Sequence, residues 1–296
     1  MALSLRRRRK PQTTEVERAA LSMLVGQAKL EVIPLLNALD TCDALPPGST
    51  VTVTSSPSHG IEATVELAEK LARRGHIVIP HLSAHMIWTR QHLEDLLARL
   101  ADGGFRRVFI VGGDAEDHGD FHDGLMLLRA IDEMGRPFDE IGVPAYPEGH
   151  PAIGDDRLLE VLLEKQRYAD YMTTQMSFNP SAIAAWIGGV RGAGVTLPIH
   201  LGLPGVTELT KLMRIAARIG VADSARYLQK NRGLIGSVIR GRFGPDALLR
   251  ELAPTLVDRV TRIEALHIFT FNQVEGTVAW QRGILEELEH QGPPRH

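Results

Sequence analysis

The stretch Glu140-Ile141-Gly142-Val143-Pro144-Ala145-Tyr146-Pro147-Glu148-Gly149-His150-Pro151 decides the fold. Its first half is a short apolar run that reads as a buried strand. Pro147, Gly149 and Pro151 then stop the strand and fix a loop. A tyrosine, a glutamate and a histidine are thereby presented at a strand's carboxyl end. In parallel α/β folds that is where ligands gather.

Working outward, the same pattern recurs. Apolar runs at about 29–33, 50–54, 76–80, 107–112, 140–145, 170–175, 195–201 and 264–270 read as eight strands. Helix-period segments lie between most of them, such as 61–73 with Val65, Ala68 and Leu71 on one face, and 90–100 with Leu93, Leu96, Leu97 and Leu100. Thr14 and Glu17 have capping-box spacing ahead of an extra N-terminal helix. Asn179-Pro180 reads as an N-cap with proline at the first helical position. After the seventh strand, helices are expected at about 206–219, 222–230 and 245–262, and a final one at 273–288. Eight strands alternating with helices make a (β/α)₈ TIM-type barrel, with an extra N-terminal helix and extra helices before the last strand. A doubly wound sheet is disfavoured because no nucleotide fingerprint follows the first strands. Gly189-Val190-Arg191-Gly192-Ala193-Gly194 has the wrong spacing and sits at a helix end.

The 296 residues are 44% hydrophobic with a net charge of -3, which allows a large core and gives no electrostatic argument for nucleic acid. The run Arg6-Arg7-Arg8-Arg9-Lys10 is local. Residues 1–12 read as a flexible basic tail and 13–290 as a single catalytic domain. A single cysteine, Cys42, in an expected loop fits a reducing, cytoplasmic setting and an ordinary thiol. No apolar stretch has the ~20 residues of a membrane-spanning helix.

Polar groups stand at nearly every strand end: Glu31, Thr54, His81, Asp114, Tyr146 and His150, Gln175, His200, and Thr270 with Asn272. A barrel would converge them on one mouth. Glu31 lies among leucine, valine and isoleucine. Two readings stay open for it: a desolvated carboxyl with a raised pKa, suited to general acid work, or a carboxylate paired with Lys29 or Arg107. Asp114 follows two glycines that allow close approach of a ligand, or it is a turn aspartate. His81 and His85, and His118 and His122, are four apart with Asp114, Asp117, Asp120 and Asp123 nearby. Pro80 and Gly119 work against the helix such pairs need, so 115–123 reads as a solvated acidic loop and no metal is expected. Gly-x-Ser-x-Gly is absent.

Taken in order, these segments resemble the methylenetetrahydrofolate reductase family. Ala145-Tyr146-Pro147-Glu148-Gly149-His150-Pro151 looks like the family's Ala-Tyr-Pro-Glu-x-His-Pro. Pro80-His81-Leu82, Gly113-Asp114, Thr174-Gln175 and His267-Ile268-Phe269-Thr270-Phe271-Asn272 accompany it, and Leu30-Glu31-Val32-Ile33-Pro34 is similar to Phe-Glu-Phe-Phe-Pro. The resemblance implies a barrel that reduces 5,10-methylenetetrahydrofolate to 5-methyltetrahydrofolate. Glu31 matches the general acid. Asp114 and Gln175 match pterin-binding positions, Asp114 also favouring a cationic intermediate. Thr54, His81, Tyr146 and His150 match positions around the flavin. This chain departs from the pattern where Gly112 replaces an arginine and Glu164 aligns with a lysine, with Lys165 beside it. Lost cations weaken a diphosphate site. The expectation is therefore direct hydride transfer from NADH or NADPH, NADH favoured, and against tightly bound FAD. An FAD-containing reductase, a metal-dependent barrel hydrolase and a non-catalytic folate binder remain the competing classes.

Overall fold

A computed structural model describes residues 13–221 and 242–290. The basic run and the expected helix at 222–230 lie outside the described residues. The strands are β1 (Lys29–Val32), β2 (Thr50–Val53), β3 (Ile77–Ser83), β4 (Arg107–Val111), β5 (Glu140–Ala145), β6 (Tyr171–Thr174), β7 (Ile199–Pro204), β8 (Thr207–Glu208), β9 (Arg242–Phe243) and β10 (Ile263–Phe269). Eight of them close a parallel barrel in the order β1-β10-β7-β6-β5-β4-β3-β2. The fold is thus the (β/α)₈ barrel read from the sequence.

Alternation along each strand sorts the side chains. On β1, Leu30 and Val32 are buried against the helices while Lys29 and Glu31 face the barrel interior. The shell between strands and helices is apolar. Leu21, Leu24 and Val25 of helix Glu15–Gly26, Val65 and Leu71 of Gly60–Arg73, and Leu127 and Ile131 of Gly124–Glu133 all join it. Each such side chain contributes about 1.5–3 kcal/mol by leaving water. The barrel's own plug is small: Ile79, Phe109 and Tyr171. Gly142 exists to admit it, since a methyl there would lie 2.3 Å from the Tyr171 ring.

The expected caps form. Thr14 and Glu17 make a reciprocal capping box, and Asn179 caps the helix that Pro180 opens. Three local expectations change. Cys42 is buried in a short 3-10 turn rather than a loop, where burial pushes its thiol up to about 11. The segment after β7 begins with an antiparallel ribbon, β8 with β9, before and after helix Leu209–Arg218. With Met176, Phe178, Leu212 and Phe243 the ribbon makes a second apolar cluster beside the mouth. Third, β7 starts at Ile199, four residues later than read. Arg191 holds the intervening chain out of the sheet by donating to the carbonyls of Val195 and Leu197 at 2.8 Å each. His200 therefore lies near the strand's start, not at the mouth.

Candidate active site

Two groups of side chains form at the carboxyl ends of the strands. The deeper one centres on Glu31, whose Oε2 lies 3.0 Å from Nε2 of His267 on β10. Their side chains are 13% and 2% exposed, respectively, so this is an interior pair. Neither Lys29 nor Arg107 partners Glu31. Both bind Glu140 instead, at 3.3 and 2.9 Å. The register explains this choice: Lys29 sits one interior step below Glu31, level with the start of β5.

His81 completes the deep group. Its ring lies 4.6 Å from Phe109 and 6.4 Å from His267 between centroids. Burial pushes its pKa down to about 4, with the Glu31 charge opposing, so the ring is neutral near pH 7. His81 Nε2, Thr52 Oγ1 and Thr173 Oγ1 are buried without a hydrogen-bond partner. Buried polar atoms are usually satisfied, so three orphans in the barrel interior are where a polar ligand or water would be held.

The shallower group lines the rim. Tyr146 and His150 meet edge to face at 5.0 Å. Burial raises Tyr146 to about 12, and the charge of Asp114 adds to the effect. Asp114 itself is exposed, on a turn set by Gly113 at φ 106. A side chain at Gly113 would strike Ser83 Oγ at 2.1 Å, so glycine brings this backbone close to β3. Gln175 donates its backbone N–H to Ala145 at 2.8 Å and accepts from Met176 through its side-chain oxygen. That leaves the amide NH₂ as the group it offers. Thr54 is half-buried, and its backbone N–H bonds Val32. The structure thus brings Glu31 and His81 together in depth, and Asp114, Tyr146 and His150 at the rim, with Gln175 next to β5's end.

Asn272 locks the two edges of the closing seam. At φ 59 it accepts from Ile33 N–H at 2.8 Å and donates to Ile33 O at 2.9 Å. Thr270 Oγ1 donates to the Glu31 carbonyl. These contacts fix the height of the Glu31 side chain.

His267 was missed as a site residue. The signal available was its place in the last strand's motif, on the interior face. The histidines of the acidic loop do not assemble a metal centre. Both ring nitrogens of His85 face carbonyl oxygens, of Ala115 at 3.0 Å and His122 at 2.9 Å. His118 and His122 are exposed and contact one another. Among the described residues no group of three or more His, Cys, Asp or Glu side chains is arranged to hold a metal ion. No helix among them is long and apolar enough to cross a membrane.

The two positions where the sequence departs from the family's cations are occupied differently here. Gly112 offers no cation, and Glu164 is engaged by Arg129 at 2.6 Å. Burial pushes Lys165 down to about 8, which still leaves it mostly charged at pH 7.

The methylenetetrahydrofolate reductase family model matches residues 27–280. Methylenetetrahydrofolate reductase 1 of Schizosaccharomyces pombe is 28% identical over 223 residues, 72% of this chain and 36% of that protein. Methylenetetrahydrofolate reductase 2 of Saccharomyces cerevisiae is 26% identical over 203 residues, 61% of this chain and 32% of that one. The chain spans about a third of the length of these curated relatives. Among solved structures, an uncharacterized protein from Clostridium thermocellum that binds two copies of 5-methyl-5,6,7,8-tetrahydrofolic acid has the same fold. Its TM-score is 0.59 at 11% identity, covering 89% of this chain and 98% of that one.

Proposed function

The chain belongs to the methylenetetrahydrofolate reductase family, and from that membership we propose that it reduces 5,10-methylenetetrahydrofolate to 5-methyltetrahydrofolate at the carboxyl-terminal mouth of its barrel. The observation that carries the reading is the Glu31–His267 pair, a carboxyl and an imidazole in hydrogen-bond contact within the barrel. The reaction needs a proton donor, and this reading gives that role to the interior carboxyl of Glu31. The folate bound by the Clostridium thermocellum protein is the product form this reading assigns to the present chain.

In this account Glu31 gives a proton to N10 of the folate. The bond from N10 to the bridging methylene carbon breaks, leaving an iminium cation on N5. NADH or NADPH, when bound, supplies the hydride that makes this carbon a methyl group. Asp114 places a negative charge near the cation, and the Gln175 amide holds the pterin edge. Thr54, His81, Tyr146 and His150 would hold the nicotinamide nucleotide, with the neutral His81 ring and its unpartnered Nε2 available to it. One proton and one hydride are consumed per turnover.

We further infer that hydride passes directly to the folate, with NADH preferred and no tightly bound FAD. Gly112 and the Glu164–Arg129 pair support this, because the positions that would neutralise a flavin diphosphate are neutral or acidic. The absorbance spectrum of the purified protein tests it. A stoichiometric flavin band would contradict direct transfer while leaving folate reduction intact.

A further inference from the structure

We propose that the proton consumed in each turnover reaches Glu31 from the opposite end of the barrel, through Lys29, His200 and His267, from a cavity at the amino-terminal face. The proposal rests on the reductase reading above, because that reaction takes a proton from Glu31 and must return one.

A cavity of about 720 Å³ lies at the amino-terminal face, away from the mouth. Its walls are the starts of the strands: Lys29, Thr50, Arg107, Glu140, His200 and Ala265. Such a layer in an eight-stranded barrel is ordinarily filled by branched apolar side chains. Here it holds an ionic and aromatic network. Lys29 Nζ lies 3.2 Å from His200 Nδ1 and 3.3 Å from Glu140 Oε1, and 4.3 Å over the Tyr171 ring. His200 stacks on the same ring at 3.8 Å.

This layer adjoins the active carboxyl. In register, Lys29 is the β1 partner of His267. On the other side, His200 pairs with Ala265, one interior step below His267. The interior therefore carries titratable groups from the cavity to Glu31: Lys29 and His200, then His267, then Glu31. Burying a lysine and a histidine side by side is costly, and a merely structural layer would avoid it. Desolvation lowers Lys29 from its ordinary value while Glu140 opposes, which eases release of its proton. Desolvation and the Lys29 charge hold His200 well below its usual range, so it stays neutral at rest and accepts a hydrogen bond from the ammonium. Arg107 and Tyr171 are the other groups facing this network, and Arg107 keeps Glu140 paired when Lys29 is neutral.

The need for a second entrance follows from the reaction. Folate and nicotinamide above Glu31 would exclude water from the mouth. The proton then moves as follows. Lys29 gives a proton to His200, which passes one by a bridging water to His267, which passes one to Glu31. Lys29 recovers its proton from water in the cavity. Each imidazole takes a proton on one ring nitrogen as it releases the one on the other, and the tautomers reset between turnovers. One proton enters from solvent and one leaves on N10.

The test compares first and later turnovers in wild-type, Lys29→Ala and His200→Gln proteins with methylenetetrahydrofolate and NADH. Both variants should slow the first reduction as well as later ones by about a hundredfold, the low end of what positioned proton transfer contributes, because the path supplies Glu31 while ligands fill the mouth. The solvent deuterium isotope effect should rise. Ethylammonium entering the cavity should restore Lys29→Ala but not His200→Gln. Variants that match wild type, or a Lys29→Ala protein that ethylammonium does not restore, would overturn the path and leave the reductase reading standing. A wild-type chain with no folate-dependent NADH oxidation would end both.

Discussion

Glu31 on the first strand and His267 on the last barrel strand meet at 3.0 Å, 236 residues apart in the chain. Closure of the barrel makes the contact, because β1 and β10 are hydrogen-bonded neighbours. The partner of Glu31 is an imidazole and not Lys29 or Arg107, which bind Glu140, so the paired-carboxylate expectation is corrected.

Glu31→Gln keeps the size and the contact to His267 but cannot deliver the proton. Turnover should fall by roughly 10²–10⁴-fold, while folate binding measured by calorimetry stays within a few-fold of wild type. Normal reduction by this variant would remove Glu31 from the mechanism.

Asn272→Ala should loosen the closing seam. It deletes two hydrogen bonds to Ile33 and places alanine at φ 59. The expected loss is about 2 kcal/mol in urea unfolding, together with lower turnover. Asn272→Gly should recover the backbone part of the loss but not the hydrogen-bonded part. Equal stability of all three proteins would refute the lock.

His81 makes stability depend on acid. Its pKa falls from 6.5 to about 4 on folding, so the unfolded chain binds more protons between those values. Stability is therefore full above about pH 6.5, declines as pH drops towards 4, and loses no more from this group below that. The total is on the order of 3 kcal/mol. His81→Gln should flatten that part of the pH profile of unfolding, and an unchanged profile would contradict the buried neutral ring.

Gly112→Arg combined with Glu164→Lys should raise FAD affinity by about tenfold, through charge-assisted contacts to the diphosphate. A Cβ at Gly112 meets no clash, its nearest neighbour being Gly124 N at 3.8 Å. Freeing Arg129 from an exposed pair costs little. Flavin fluorescence quenching gives the readout, and no gain in affinity would argue against missing cations as the reason FAD is disfavoured.

The barrel was legible because its strands are short apolar runs bounded by glycine, proline and polar residues, a local signal. The strand-end candidates Glu31, His81, Asp114, Tyr146, His150 and Gln175 followed from the same signal. What escaped depends on pairing at a distance. His267 becomes Glu31's partner through register alone. His200 was read at the mouth because the apolar stretch from Val195 looks continuous with β7, yet side-chain bonds from Arg191 to Val195 and Leu197, and from Thr196 N–H to Gln166, hold its first part out of the sheet. The β8–β9 ribbon joins residues over 30 apart in the chain.

The most direct test of the central claim is anaerobic mixing of the purified chain, without added flavin, with methylenetetrahydrofolate and NADH. The account predicts NADH oxidation matched mole for mole by 5-methyltetrahydrofolate, absent when either partner is withheld. No folate-dependent oxidation, or turnover that begins only when FAD is supplied, would contradict it.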